Sequence, residues 1–154
     1  MIEKGYEEMK PKYLYHGSQY KFNIVKPMQA SGNSQDESLK AIYTYDKFEH
    51  AIPFALPIRW YPDNPDGVRI FTTDSGRTFI EYGTVDPNAI GYIYKLPSDS
   101  FYKIINNQWV SESDVIPVKV YEIKVSDYWD TIKFSSEAEI IQRELYGDFD
   151  RQRI

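Results

Sequence analysis

The sequence predicts an α+β chain with a mainly antiparallel sheet, and three observations carry that prediction. Short runs of alternating large side chains recur along the chain, helical stretches are few, and the two do not alternate as βαβ units would. Aromatic residues make up 16% of the 154 residues, with 14 tyrosines, which suits pleated surfaces and also sites where flat rings stack. A capped helical pattern closes the chain. At this length one domain over 1–154 is expected, large enough to bury a real core.

In order, residues 1–12 read as a charged leader ended by Pro11. Tyr13 to Gly17 reads as the first strand. Ser18 to Pro27 reads as a turn and a short segment, with Phe22, Ile24 and Val25 expected to pack inward. Gln29 to Ser38 is small and polar, a loop placed to border a site near the first strand. Ala41 to Tyr45 is the second strand, and Asp46 is expected to cap a helix over Lys47 to Leu56. Pro53 falls inside that helix and predicts that it is short or kinked. Arg59 to Gly67 is a proline-rich turn.

Strands are then expected at Val68 to Thr73, Phe79 to Tyr82, Ile90 to Leu96 and Val118 to Val125. Between the last two, Phe101 to Ile105 and Gln108 to Ser111 form a hairpin about Asn106 and Asn107, residues that tolerate turn geometry. Ser135 and Ser136, followed by Glu137 and Glu139, open a final helix within 135–149 that Gly147 can end.

Composition excludes several classes of function. The net charge is −5 with no Lys/Arg cluster, so general nucleic-acid binding is not expected. There are no cysteines, which removes disulfides, thiolate catalysis and cysteine-based zinc sites. The first residues lack the apolar core of a signal peptide, and no apolar run approaches membrane-spanning length. The expectation is a soluble, cytoplasmic chain with no membrane partner.

One stretch concentrates chemistry. Tyr13-Leu14-Tyr15-His16-Gly17-Ser18 ends a strand on an imidazole, a glycine whose bare backbone lets a ligand approach, and a hydroxyl. A small-molecule site is expected there. Ile42-Tyr43-Thr44-Tyr45-Asp46 follows as a strand leading into a cap, with Phe54 in the helix beyond, and Asn107-Gln108-Trp109-Val110 opens a later strand.

In that order these pieces resemble the ADP-ribosyltransferase fold of the poly(ADP-ribose) polymerase and diphtheria-toxin type, over about Tyr13 to Val125. The resemblance implies two packed, mainly antiparallel sheets around an NAD cleft with a few short helices. NAD would be bound as substrate, with no metal. His16 would hold the adenosine ribose, the Gly17 backbone and the Ser18 hydroxyl the nicotinamide amide, and Tyr43 and Phe54 would sandwich the nicotinamide ring. The family's catalytic triad His-Tyr-Glu falls on His16, Tyr43 and Gln108.

The last position departs from the family. Cleaving the nicotinamide–ribose bond builds positive charge that a carboxylate stabilises, and an amide brings no charge. Losing such a group commonly costs about 10²–10³ in rate. Glu112 lies four residues further along the strand, roughly 13 Å away, and Glu122 further still along the chain. The resemblance therefore implies mono-ADP-ribosyl transfer or NAD cleavage, weakened by Gln108, in preference to chain extension. The alternative is a binding module or sensor for NAD, ADP-ribose or a related nucleotide end. The acceptor, protein or otherwise, is not specified, and a small chain of this kind suits a bacterial or phage effector.

Other signals fail. In Pro62-Asp63-Asn64-Pro65-Asp66-Gly67 a proline stands where a calcium loop needs its first ligand. His50 beside Glu49 is expected to be a solvated pair, and Glu137, Glu139 and Glu144 a charged helix face.

Overall fold

A computed structural model describes residues 10–29, 39–60, 71–72, 77–105 and 107–148. The main sheet has seven strands, all paired antiparallel: β1 (Tyr13–Ser18), β2 (Met28–Gln29), β3 (Lys40–Tyr45), β8 (Ile90–Pro97), β9 (Tyr102–Ile105), β10 (Gln108–Ser111) and β11 (Lys119–Lys124). The strand order is β11-β8-β1-β3-β10-β9, with β2 paired to the start of β3. A helix α1 (Phe48–Ala55) follows β3, and a helix α2 (Ser136–Tyr146) ends the described chain. The described residues also form two small sheets. One joins β12 (Ile132–Phe134), β6 (Thr78–Ile80) and β5 (Phe71–Thr72), and the other joins β4 (Arg59–Trp60) to β7 (Gly83–Thr84). The architecture is α+β with few helices, and no described helix is long and apolar enough to cross a membrane.

The alternation of side chains along each strand divides the core. One face of the main sheet carries Leu14, Ile42, Tyr94, Leu96 and Trp109, buried with Val25, Phe101 and Val115. The opposite face carries Ile93 and Ile123, covered by Ala51, Ile52 and Ala55 of α1 and flanked by Tyr15, Tyr45 and Tyr121. A third cluster, with Leu56, Ile80, Val85, Val125 and Ile132, lies among the small sheets and the 3-10 segment Val125–Thr131.

Helix α1 seats on the sheet through two glycines. A Cβ on Gly17 would stand 2.4 Å from the Ala51 carbonyl oxygen, and one on Gly91 would stand 1.6 Å from that of Ala55. The backbones touch where side chains would ordinarily hold helix and sheet apart.

Several elements fall as expected. The hairpin turns between Ile105 and Gln108, with Asn107 in the left-handed region at φ 68°. Helix α2 is capped by Ser135, whose hydroxyl accepts from the Ala138 amide at 3.1 Å, and Gly147 follows its last turn at φ 73°. Glu137, Glu139 and Glu144 are exposed on it.

Others differ. Lys47, not Asp46, takes the N-cap position of α1, and no side chain caps that helix. The Asp46 amide instead donates to the Asn107 carbonyl at 3.3 Å, which continues the pairing of β3 with the β9–β10 hairpin by one residue. Ile24 is 42% exposed, while its neighbour Val25 is buried and forms a two-way backbone bridge with Val115. His50 is buried rather than solvated, since α1 lies flat against the sheet. The strand expected over Phe79 to Tyr82 stops at Ile80 in β6, and β7 begins only at Gly83. Gln29 belongs to β2, and Arg59 and Trp60 form β4 instead of a turn. The loop over 30–38, the calcium-like run and most of the strand expected from Val68 lie outside the described residues.

Candidate functional site

β1 is paired with β8 along its whole length, from Tyr13 opposite Pro97 to Ser18 opposite Tyr92. With β3 it pairs at one position only, Tyr15 opposite Tyr45. The His16 side chain reaches across the interval that follows, its Nδ1 lying 2.8 Å from the Tyr43 carbonyl oxygen. A carbonyl can only accept, so Nδ1 carries the proton and donates. Burial holds the imidazole below its usual pKa, opposed in part by that same hydrogen bond. Near neutral pH His16 is therefore uncharged, and its Nε2 is a hydrogen-bond acceptor.

A cavity of about 520 Å³ opens at His16, lined by Phe22, Asn23, Val25, Lys26 and Met28 among others. That volume lies in the range of small-molecule sites. Its wall is fastened at three points. The buried Tyr94 hydroxyl donates to the Tyr20 carbonyl at 2.7 Å and accepts from the Phe22 amide at 2.6 Å, which fixes the start of the segment. The Val25–Val115 bridge fixes its middle, and β2 ties its end to Ala41. Phe22 stacks on Tyr94, with ring centroids 5.6 Å apart.

Gly17 and Ser18 hold their places beside His16 but are partly engaged by the chain itself. The bare side of Gly17 faces α1, so the absence of a side chain there serves the close approach of the helix. The Ser18 hydroxyl oxygen accepts from the Tyr20 amide at 3.1 Å and keeps its own proton to donate.

The remaining expected residues gather on the α1 face of the sheet. Gln108 is opposite Tyr45 in the β10–β3 ladder, and its Nε2 donates to the Tyr45 hydroxyl at 3.0 Å. The ring that stacks on Phe54 is that of Tyr45, with centroids 5.2 Å apart and planes 14° from parallel. Tyr43 contributes its carbonyl to His16, and its hydroxyl donates to the Leu39 carbonyl at 2.8 Å. Tyr45 was not singled out from the sequence. It stands two residues after Tyr43 on the same face of β3, so the period of a strand was the signal that could have found it.

The sheet thus separates the expected residues. His16 shares its face with Leu14 and Tyr94, whereas Tyr45, Phe54 and Gln108 belong to the other face. Neither Glu112 nor Glu122 neighbours Gln108 in the sheet. Glu112 lies beyond Ser111, which pairs with Ile42 at the far end of the β10–β3 ladder, and it accepts from the Tyr102 hydroxyl at 2.8 Å. A bulge does follow Gln108, but it shifts the register with β9 and leaves that with β3 regular. Glu122 is exposed on β11, four strands across the sheet from β10, a span of about 19 Å.

Among the described residues no group of three or more acidic or histidine side chains could hold a metal ion. No family model matches the chain, and neither a curated protein nor a solved structure matches it.

Proposed function

We propose that this chain is an ADP-ribosyltransferase-like protein that binds NAD or a related nucleotide along the interval between β1 and β3. Its activity is mono-ADP-ribosyl transfer or NAD cleavage, weakened by the amide at position 108. One observation carries the reading. His16 is bonded through Nδ1 to the neighbouring strand and keeps a neutral acceptor, Nε2, beside a cavity of about 520 Å³. A ribose hydroxyl is a donor that such an acceptor suits, Phe22 offers an aromatic edge or face to a base, and Lys26 offers a cation to phosphate.

In the reaction the bond from ribose C1′ to the nicotinamide nitrogen breaks, its electron pair leaving with nicotinamide. Water or an acceptor nucleophile forms the new bond at C1′ and gives up a proton. Gln108 can orient the distal ribose but brings no charge to the cationic transition state. The test is nicotinamide release from NAD by the purified chain, with His16→Ala and Gln108→Glu alongside. Slow release, abolished in His16→Ala and raised at least tenfold in Gln108→Glu, is expected. Release that persists unchanged in His16→Ala refutes the site.

A second reading is a nucleotide-binding module without chemistry. The hydrogen bond from Gln108 to Tyr45 favours it, because the side chain in the catalytic position is engaged within the chain. NAD recovered intact after prolonged incubation with protein that binds it supports this reading over the first.

A further inference from the structure

We propose that Lys12, Lys95 and Lys119 form a site for an oligophosphate anion, two or more linked phosphates either free or carried by a nucleoside. The site lies on the α1 face of the main sheet, away from the His16 cavity, and stands whether or not that cavity holds a nucleotide.

The three lysines are far apart in sequence, and strand pairing brings them together. Lys95 of β8 stands opposite Tyr15 of β1 on one side and opposite Lys119 of β11 on the other. Directly opposite residues share a face, and like charges placed so destabilise a sheet. No carboxylate offsets that repulsion, for Lys12, Lys95 and Lys119 form no ion pair among the described residues. The ammonium groups rest on tyrosine rings instead. Lys95 Nζ lies 4.4 Å from the centre of the Tyr13 ring, and Lys12 Nζ lies 5.5 Å from the same centre. Lys119 Nζ lies 4.7 Å from the centre of the Tyr121 ring.

The backbone beneath these side chains is fixed. The Ser98 amide donates to the Lys12 carbonyl at 3.1 Å, and the Val118 amide donates to the Lys95 carbonyl at 2.9 Å. Helix α1 leaves this end of the sheet open. It starts at Phe48, against Tyr15 and Tyr121, and passes over Gly17 and Gly91, away from Tyr13. Lys12 and Lys119 are exposed and Lys95 is half-buried. Strands β11, β8 and β1 are neighbours, so the row of cations extends over two strand spacings, roughly 10 Å. One phosphate cannot reach along that row, whereas linked phosphates can, and each ammonium brings donors for their oxygens. A bound anion also removes the repulsion between Lys95 and Lys119, so an arrangement unfavourable in the free chain becomes favourable in the complex.

Calorimetric titration of the full chain with tripolyphosphate tests this at fixed ionic strength, with inorganic phosphate and ATP as the other ligands. Wild type is expected to bind tripolyphosphate saturably, and about tenfold or more tighter than inorganic phosphate. Lys12→Gln, Lys95→Gln and Lys119→Gln should each weaken binding by about twofold to fivefold, the scale of an exposed ion pair. The triple variant should lose about tenfold or more, and Lys103→Gln, on β9 at the far edge of the sheet, should lose nothing. ATP that is weakened by the same variants assigns the site to the phosphates of a nucleotide. ATP that does not compete with tripolyphosphate assigns it to the free anion, and either result upholds the site. Wild type without saturable tripolyphosphate binding overturns the proposal, whether or not any variant folds. So do inorganic phosphate bound as tightly as tripolyphosphate, an equal loss in Lys103→Gln, and tripolyphosphate binding abolished by His16→Ala. NAD binding is measured separately, so the two sites stand or fall apart.

Discussion

The two faces of the main sheet treat their polar side chains differently. On one, His16 is tied down by a single hydrogen bond and keeps its second nitrogen as an acceptor beside a cavity. On the other, Gln108 and Phe54 both attach to Tyr45, and α1 lies flush against the strands. The difference has a physical source. The first face is covered by an irregular segment, residues 20–28, pinned at intervals, and such a cover leaves space between its pins. The second is covered by a helix seated on glycines, which brings backbone to backbone and closes the gaps. A binding site needs the first kind of cover, and a fixed framework needs the second.

The largest effect should come from separating helix and sheet. Gly91→Ala would drive a Cβ into the Ala55 carbonyl, a backbone group that cannot rotate away. A loss of about 3 kcal/mol or more in urea unfolding is expected, since overpacking against fixed atoms exceeds the usual range for a methyl group. A loss below 1 kcal/mol would mean that α1 is not seated as described.

Next in size is the pin on the opposite face. Tyr94→Phe leaves the Phe22 amide and the Tyr20 carbonyl without their buried partner, at a cost of about 1–3 kcal/mol. Hydrogen exchange at Phe22 should accelerate along with the loss of stability, while the amides of α1 exchange as before once global stability is allowed for. Equal acceleration in both places would erase the contrast between the two covers.

A comparable test lies in the third cluster, as a control outside both faces. The buried Gln142 side chain bonds both backbone groups of Val85, accepting from its amide at 2.9 Å and donating to its carbonyl at 2.7 Å. Gln142→Leu leaves both unpaired, and a loss of about 1–3 kcal/mol is expected by thermal or urea unfolding. An unchanged midpoint would show that the pair is dispensable.

A smaller effect concerns pH. Burial lowers the pKa of His16 below the ordinary 6.5, so between 6.5 and its depressed folded value the unfolded chain binds more protons than the folded one. Stability therefore falls as pH drops below about 6.5, with His16 contributing one part of the slope. His16→Gln should show a shallower decline than wild type between pH 7 and 5 in urea midpoints. Identical slopes would place the imidazole in water rather than in the wall of the cavity.

The smallest effect is at the turn that presents Gln108. Asn107→Gly keeps the left-handed conformation and should change stability by less than about 1 kcal/mol, whereas Asn107→Val should cost about 1–2 kcal/mol. Equal stabilities for the two variants would argue against a left-handed residue at the turn.

The legible parts of this chain were those governed by neighbours in sequence. The alternation of Tyr13 to Gly17 and of Ala41 to Tyr45, the turn at Asn107, the Ser135 cap and the stop at Gly147 each depend on a few adjacent residues, and each was readable. Strands β2, β4 and β12 were not, because two or three residues have no period and exist as strands only through a partner outside their own stretch of chain. The same distinction holds at the site. His16 was legible as a polar residue near the end of a strand, and Gln108 as the polar residue that opens a later one. That Tyr45, not Tyr43, would lie on Phe54, and that Gly17 would face a helix, depended on where α1 comes to rest.

By itself, then, the sequence determined the α+β class, the strands with a clear period of two, the Ser135 cap, the stop at Gly147, the turn at Asn107, and which polar side chains were candidates for chemistry. Periodicity, capping and left-handed turns are short-range effects, written into neighbouring residues. Only the tertiary structure decided which of those side chains keep a hydrogen-bonding atom for a ligand and which are used up within the fold. That outcome depends on contacts between strands and helices distant in sequence, and on how closely each cover can approach the sheet beneath it.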